Sequence, residues 1–156
     1  MRMGAEESRV LVVAPVGQDA EAMAAMLRGE GVRAEVCAGP GECLEGLEAG
    51  AGAVLLTEEA LELPGAEGLL ESFRRQPAWS ELPLIILTSG GESRFARVLE
   101  IAAEVAGAVT LLERPIGAGT LLHSVRVALR SRQRQYQVRD LLAERERRED
   151  EIAGER

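Results

Sequence analysis

Five short aliphatic runs, at residues 10–14, 32–37, 53–57, 84–88 and 109–112, alternate with five stretches of helical periodicity, and this alternation constrains the fold more than any other feature of the chain. The first, third and fourth runs are continuous in Val, Leu, Ile and Ala, as strands of a parallel sheet buried on both faces are. The helical stretches fall at residues 19–28, 42–49, 66–76, 93–105 and 119–152. Asp19 is placed to cap the first of them, because its carboxylate can accept free N–H groups of the opening turn, and Gly29 and Gly31 end it. Met23, Met26 and Leu27 in the first helix, Cys43, Leu44 and Leu47 in the second, and Leu69, Leu70 and Phe73 in the third form the expected inner faces. Loops are marked by Gly39, Pro40 and Gly41, by Pro77, Trp79 and Pro83, by Ser89, Gly90 and Gly91, and by Gly107. Five strand-then-helix units with short, right-handed connections predict an α/β fold, a doubly wound five-stranded parallel sheet with helices on both faces. Its expected strand order is 2-1-3-4-5, with a ligand crevice outside the carboxyl ends of strands one and three.

A chain of 156 residues accommodates one such domain plus an appendage. Trp79, Tyr136, Phe73 and Phe95 are its only aromatic residues, so the core must be aliphatic. The formal net charge is -8 and every one of the 18 basic residues is Arg. The first 125 residues are strongly acidic, whereas residues 126–156 are slightly basic, which argues against a phosphate-backbone binder and marks a change of structural regime. DNA binding is further disfavoured by the lack of a recognition motif. No apolar run approaches the roughly 18 residues of a membrane span, and residues 1–7 have no signal-peptide character. A cytoplasmic chain with two reduced thiols, Cys37 and Cys43, and no membrane contact is expected.

Between Gly119 and Ile152 there is neither Pro nor Gly. That is about 50 Å of helix at the usual rise. Leu121, Leu122, Val125 and Leu129 are enough to cover the sheet, but Tyr136, Val138, Leu141, Leu142 and Ile152 lie among Arg and Glu. A helix so long and polar calls for a partner, and a parallel coiled coil with an imperfect seam, Val138, Leu141, Arg145, Arg148 and Ile152, is the expected solution. The alternative is a solvated helix held by Glu–Arg pairs three or four residues apart. Residues 1–8 are thus read as a tail, 9–130 as the domain and 131–156 as a coiled-coil extension or linker.

The crevice decides the chemistry. Ala14 and Pro15 stand at the end of strand one, Thr57 closes strand three ahead of Glu58 and Glu59, Thr88 and Ser89 end strand four, and Glu113, Arg114 and Pro115 follow strand five. This pattern, over residues 9–130, resembles the receiver domain of two-component response regulators (CheY-like). The resemblance implies Mg2+-dependent phosphoryl transfer to an Asp after strand three, served by two acids after strand one, a hydroxyl residue after strand four and a Lys-Pro pair after strand five. In this chain those positions hold Ala14 and Pro15, Thr57, Thr88, and Arg114 with Pro115. Only the hydroxyl residue and the proline are retained. Ala14 and Pro15 offer Mg2+ no carboxylate, and Thr57 cannot form an acyl phosphate. The only aspartates, Asp19, Asp140 and Asp150, lie elsewhere, and Glu58 and Glu59 fall past the strand end.

Arg114 either pairs with Glu58, Glu59 or Glu113 and locks the crevice, or points to solvent; the resemblance also implies a cis Arg114-Pro115 bond. His123, the only histidine, has no convergent ligands for zinc and is read as a helix-surface residue rather than a phosphoacceptor. No phosphate-binding loop is present. The chain is therefore expected to be a degenerate pseudo-receiver with no catalytic residue, no cofactor and no metal. It would dimerise through its last helix and relay a signal, as the N-terminal regulatory part of a sensor histidine kinase whose remaining domains follow Arg156. The alternatives are a stand-alone dimeric adaptor of a two-component phosphorelay, or a small-molecule sensor using the crevice between Ala14, Thr57 and Thr88.

Overall fold

The computed structural model describes residues 4–89, 91–105 and 108–154, with side chains at 92–94 left aside. Strands β1 (Val10–Val13), β2 (Ala34–Val36), β3 (Ala53–Thr57), β4 (Leu84–Thr88) and β5 (Val109–Glu113) form one parallel sheet in the order β2-β1-β3-β4-β5. The register sets Val13 beside Leu56, Thr57 beside Leu87 and Thr88 beside Glu113, so the carboxyl ends of the three central strands and β5 meet along one edge. Between the strands run α1 (Asp19–Gly29), α2 (Pro40–Leu47), α3 (Ala66–Arg74) and α4 (Glu92–Glu104), and α5 (Ala118–Gly154) completes the chain.

Side chains on a strand alternate between faces, and here both faces are buried. Val10, Val12, Ala53, Leu55, Ile85 and Leu87 pack against Ala24 and Leu27 of α1 and Leu121, Val125 and Ala128 of α5. Leu11, Val13, Val54, Leu56, Leu84 and Ile86 pack on the other face against Cys43 of α2, Leu69, Leu70 and Phe73 of α3, and Val98 of α4. Phe73 is the one aromatic ring in these two clusters, so the core is aliphatic as expected.

Several element limits differ from expectation. The second strand is confined to Ala34–Val36, at the sheet edge, where only β1 supports it. Asp19 is the first residue of α1 and not its cap; the capping position belongs to Gln18, whose side chain makes no capping hydrogen bond. The residues after β3, expected to be loop, form a short 3-10 helix at Glu58–Glu62, and a second one, Glu6–Ser8, precedes β1. Gly90, Gly107 and Arg156, singled out in the sequence, lie outside the described residues.

The largest correction concerns α5. It runs for 37 residues, about 55 Å, but the domain does not release it at residue 130. Arg132 and Tyr136 are buried, at 6% and 3% exposure, so Tyr136 is not free to serve a dimer seam. The Tyr136 hydroxyl donates to the Ala51 carbonyl at 3.0 Å and accepts from the Ala51 N–H at 3.2 Å. Arg132 donates to the Ala51 carbonyl, Ser80 Oγ, Gln135 Oε1 and the Tyr136 hydroxyl. Gln135 grips the backbone of Glu81 through both its amide atoms, and Arg139 pairs with Glu7 ahead of β1. Gly50, at φ 99, lets the backbone turn beside the Tyr136 hydroxyl and Glu7 where a side chain would be strained. The contacts of α5 with the domain therefore continue for nine residues past the boundary expected at 130. Val138, within this stretch, is 46% exposed, and beyond it Leu141, Leu142 and Ile152 are 61%, 47% and 55% exposed.

Candidate functional site

The carboxyl edge of the sheet holds the residues on which the sequence argument rests. Ala14 follows β1 directly and is buried, whereas Pro15 is exposed. Thr57 ends β3 on the face of Ala53 and Leu55, the side covered by α1 and α5. Thr88 ends β4 on the opposite side, that of Leu84 and Ile86, so the two hydroxyl residues do not address the same space. Arg114 follows β5, its N–H donating to the Thr88 carbonyl at 2.7 Å, and the Arg114-Pro115 bond is cis.

Of the two states left open for Arg114, the structure has the paired one. Its Nη2 donates to Glu59 Oε1 at 2.8 Å and Oε2 at 3.1 Å and to Ser89 Oγ at 2.8 Å, with Glu58 Oε1 at 3.5 Å. Ser89 closes the network by donating its N–H and hydroxyl to Glu58 Oε1 at 3.0 and 2.6 Å. Glu58, although it follows the strand, is only 6% exposed. Burial, the largest single effect, raises the proton affinity of Glu59, but the hydrogen bond and charge of Arg114, a backbone hydrogen bond and the Thr57 side chain together outweigh it and hold this carboxyl below its ordinary range. The mouth of the sheet is thus closed over by an internal charge network. Ser89 was not legible as a member of it: its sequence position beside Thr88 was the only signal.

A crevice of about 490 Å3 remains on the α1 and α5 side of this network, lined by Asp19, Ala22, Met23, Thr57, Leu87, Arg114, Pro115 and Ile116. It unites Thr57, Arg114 and Pro115 from the sequence-derived set and leaves out Ala14, Pro15 and Thr88. A receiver's Mg2+ does not fit these residues. Alanine and proline offer no side-chain oxygen where a hard cation needs carboxylates, and the nearby Glu58 and Glu59 carboxylates are committed to Ser89 and Arg114. Among the described residues no group of three or more His, Cys, Asp or Glu side chains could hold a metal ion. Nor is any described helix long and apolar enough to cross a membrane.

His123 is exposed on α5. Cys37 and Cys43 are both buried and free. A hydrogen bond between their thiols lowers the proton affinity of Cys37 and, together with burial, raises that of Cys43.

Solved structures with this arrangement are numerous. A CheY-like response-regulator receiver domain protein from Methanospirillum hungatei superposes with a TM-score of 0.63 at 19% identity, over 82% of this chain and 98% of that one. This chain folds as a receiver domain. NtrX from Brucella abortus, solved in complex with ATP, matches with a TM-score of 0.67 at 22% identity over 86% of this chain. The receiver fold described here spans only 30% of that NtrX chain. A yeast Spc42 trimeric coiled-coil segment fused to another protein matches with a TM-score of 0.64 at 20% identity, over 97% of this chain and 98% of that one. No protein-family profile and no curated protein matches the chain.

Proposed function

We propose that this chain is a receiver-fold signalling module of a two-component pathway that does not take up a phosphoryl group and works through protein interaction. The observation that carries the reading is the composition of the crevice: Thr57 stands where an acceptor carboxylate would be needed, Ala14 and Pro15 leave no acid pair, and Arg114 is held by Glu59 and Ser89. Without a cation and an acceptor, the charge that grows on a transferring phosphoryl group has no stabilising partner.

The output element of this reading is α5. Its last fourteen residues carry the exposed Leu141, Leu142 and Ile152 next to Arg–Glu pairs that are internal to the helix, Arg145 with Glu149 and Arg148 with Glu144. A second copy of the chain covers the apolar positions in a parallel coiled coil, and the helix conducts a change at the domain to whatever follows it. The regulatory N-terminal part of a sensor histidine kinase, located in the cytoplasm, is the context that best fits such a helix; a stand-alone dimeric adaptor is the second reading, favoured by an exposed α4 face that includes Phe95 and Leu99. Incubating the chain with Mg2+ and acetyl phosphate and measuring its intact mass tests the central point. No phosphorylated species is expected; stoichiometric phosphorylation on any residue of the crevice overturns the reading.

A further inference from the structure

Cys37 and Cys43 are the only cysteines of the chain, and the fold brings them together in one core cluster. Cys37 follows β2 at the carboxyl edge of the sheet, where its N–H donates to the Val12 carbonyl at 2.8 Å. Cys43 lies in α2, and its N–H donates to the Gly39 carbonyl at 3.1 Å. Between them the Ala38 N–H donates to Glu42 Oε2 at 3.2 Å, so the chain folds back on itself over these few residues. The two thiols are in hydrogen-bond contact, the proximity that a disulfide requires if the backbone is not to move. They are not equivalent. Cys43 is fully buried, whereas Cys37 keeps 7% exposure and is followed by the exposed Ala38. The hydrogen bond donated by the Cys43 thiol holds Cys37 below the ordinary thiol range, against burial and the charge of Glu42. The same bond, with burial, pushes Cys43 up. The thiolate is the reactive form, which makes Cys37 the nucleophile and Cys43 the resolving thiol.

We propose that Cys37 and Cys43 are a modification site for hydrogen peroxide, closing reversibly to a disulfide within the chain. The Cys37 sulfur attacks one oxygen of the peroxide, the O–O bond breaks, and the other oxygen leaves as water with the proton lost by Cys37, so that Cys37 becomes a sulfenic acid. The Cys43 sulfur then displaces the hydroxyl group from Cys37, the S–O bond breaks, and the Cys43 proton departs with that oxygen as a second water. Two thiols lose two electrons in all, and one peroxide gains them. A dithiol reductant reverses the reaction by exchange. The bond ties α2 to the end of β2, the edge strand of the sheet. This chemistry is separate from the phosphoryl question, because it uses neither the crevice nor α5.

Treating the full, folded chain with hydrogen peroxide and measuring its intact mass and free thiols tests the proposal. The product is expected to be lighter by about 2 Da, with both thiols lost, Cys37 joined to Cys43 in the peptide map, and the original mass restored by dithiothreitol. In Cys43→Ala the sulfenic acid on Cys37 has no resolving thiol and should be trapped by dimedone, whereas Cys37→Ala should trap at least about tenfold less. The parent chain decides the question even where a variant unfolds. Thiols that stay free in the folded chain and react only in urea overturn the proposal. So do bridges between chains in place of the internal one, a gain of about 32 Da per thiol without a disulfide, and dimedone labelling of Cys37→Ala equal to that of Cys43→Ala.

Discussion

The guanidinium carbon of Arg132 lies 4.3 Å from the centre of the Tyr136 ring, while Arg132 Nη2 donates to that residue's hydroxyl at 3.1 Å. Arg139 stands 4.5 Å from the same ring, and Trp79 meets it at 5.6 Å. Burial depresses the proton affinity of Arg132, yet it has ample donors' partners in Ala51, Ser80, Gln135 and Tyr136. The cluster joins α5 to the loop before β3, the loop before β4 and the segment before β1. It lies at the end of the sheet opposite the crevice, so the domain and this part of the helix move together.

Removing its polar and apolar contributions separately should show different costs. Tyr136→Phe leaves the ring and loses the bonds to Ala51 and Arg132, for an expected destabilisation of about 1–2 kcal/mol. Tyr136→Ala also empties the space the ring fills beside Trp79, Arg132 and Arg139 and should cost about 3–5 kcal/mol. Urea unfolding followed by the emission of Trp79, the only tryptophan and a member of the cluster, reads both.

Dimerisation through the helix can now be tested without damaging the domain. Ending the chain after Asp140 removes Leu141, Leu142 and Ile152 and retains the contacts of Arg132, Tyr136 and Arg139. Solution mass should fall to about half that of the full chain while the unfolding midpoint changes little. Ending it after Arg130 removes the cluster as well and should lower stability. An unchanged oligomeric mass after the Asp140 truncation rules out pairing through the tail.

Acid should loosen the protein at both ends of the sheet. The Arg139 hydrogen bond holds Glu7 below the ordinary carboxyl value of 4.5, and Glu59 is also lowered, because the bond and charge of Arg114 with its other hydrogen bonds together exceed the opposing effect of burial. A carboxyl with a lower pKa folded than unfolded stabilises the fold fully above its unfolded value, and that contribution is lost as pH falls through the folded one. Thermal midpoints should therefore be flat above about pH 5 and decline below about pH 4.5. In the Glu7→Gln, Glu59→Gln double variant the plateau is lower and the decline shallower. A double variant with the same slope as the parent contradicts these assignments.

How far the sequence could be read depended on the type of signal. Continuous aliphatic runs such as 53–57 and 84–88 specify buried parallel strands because few other structures hide both faces of such a segment, and the strand order followed from connection length and handedness. Residues 32–37 were less readable: an edge strand has one neighbour, and pairing rather than composition ends it at Val36. Tyr136 was misplaced because Arg and Gln surround it. Yet Leu121, Val125, Ala128, Arg132 and Tyr136 follow one another at three- and four-residue steps, so the buried stripe of α5 continues unbroken. Counting the stem of Arg132 as apolar surface reveals that stripe. The Arg114 network was open in the sequence because its partners are set by side-chain direction at strand ends, which no periodicity specifies.

With no acid pair after β1, the carboxyl edge of this sheet should have no place for a divalent cation beside a phosphoryl group. Adding Mg2+ and beryllium fluoride to the 15N-labelled chain and following the amides of Ala14, Thr57, Thr88 and Ser89 measures it directly. None of these resonances should move in a saturable way; saturable shifts that require both additions would show that a cation and a phosphoryl group do fit there.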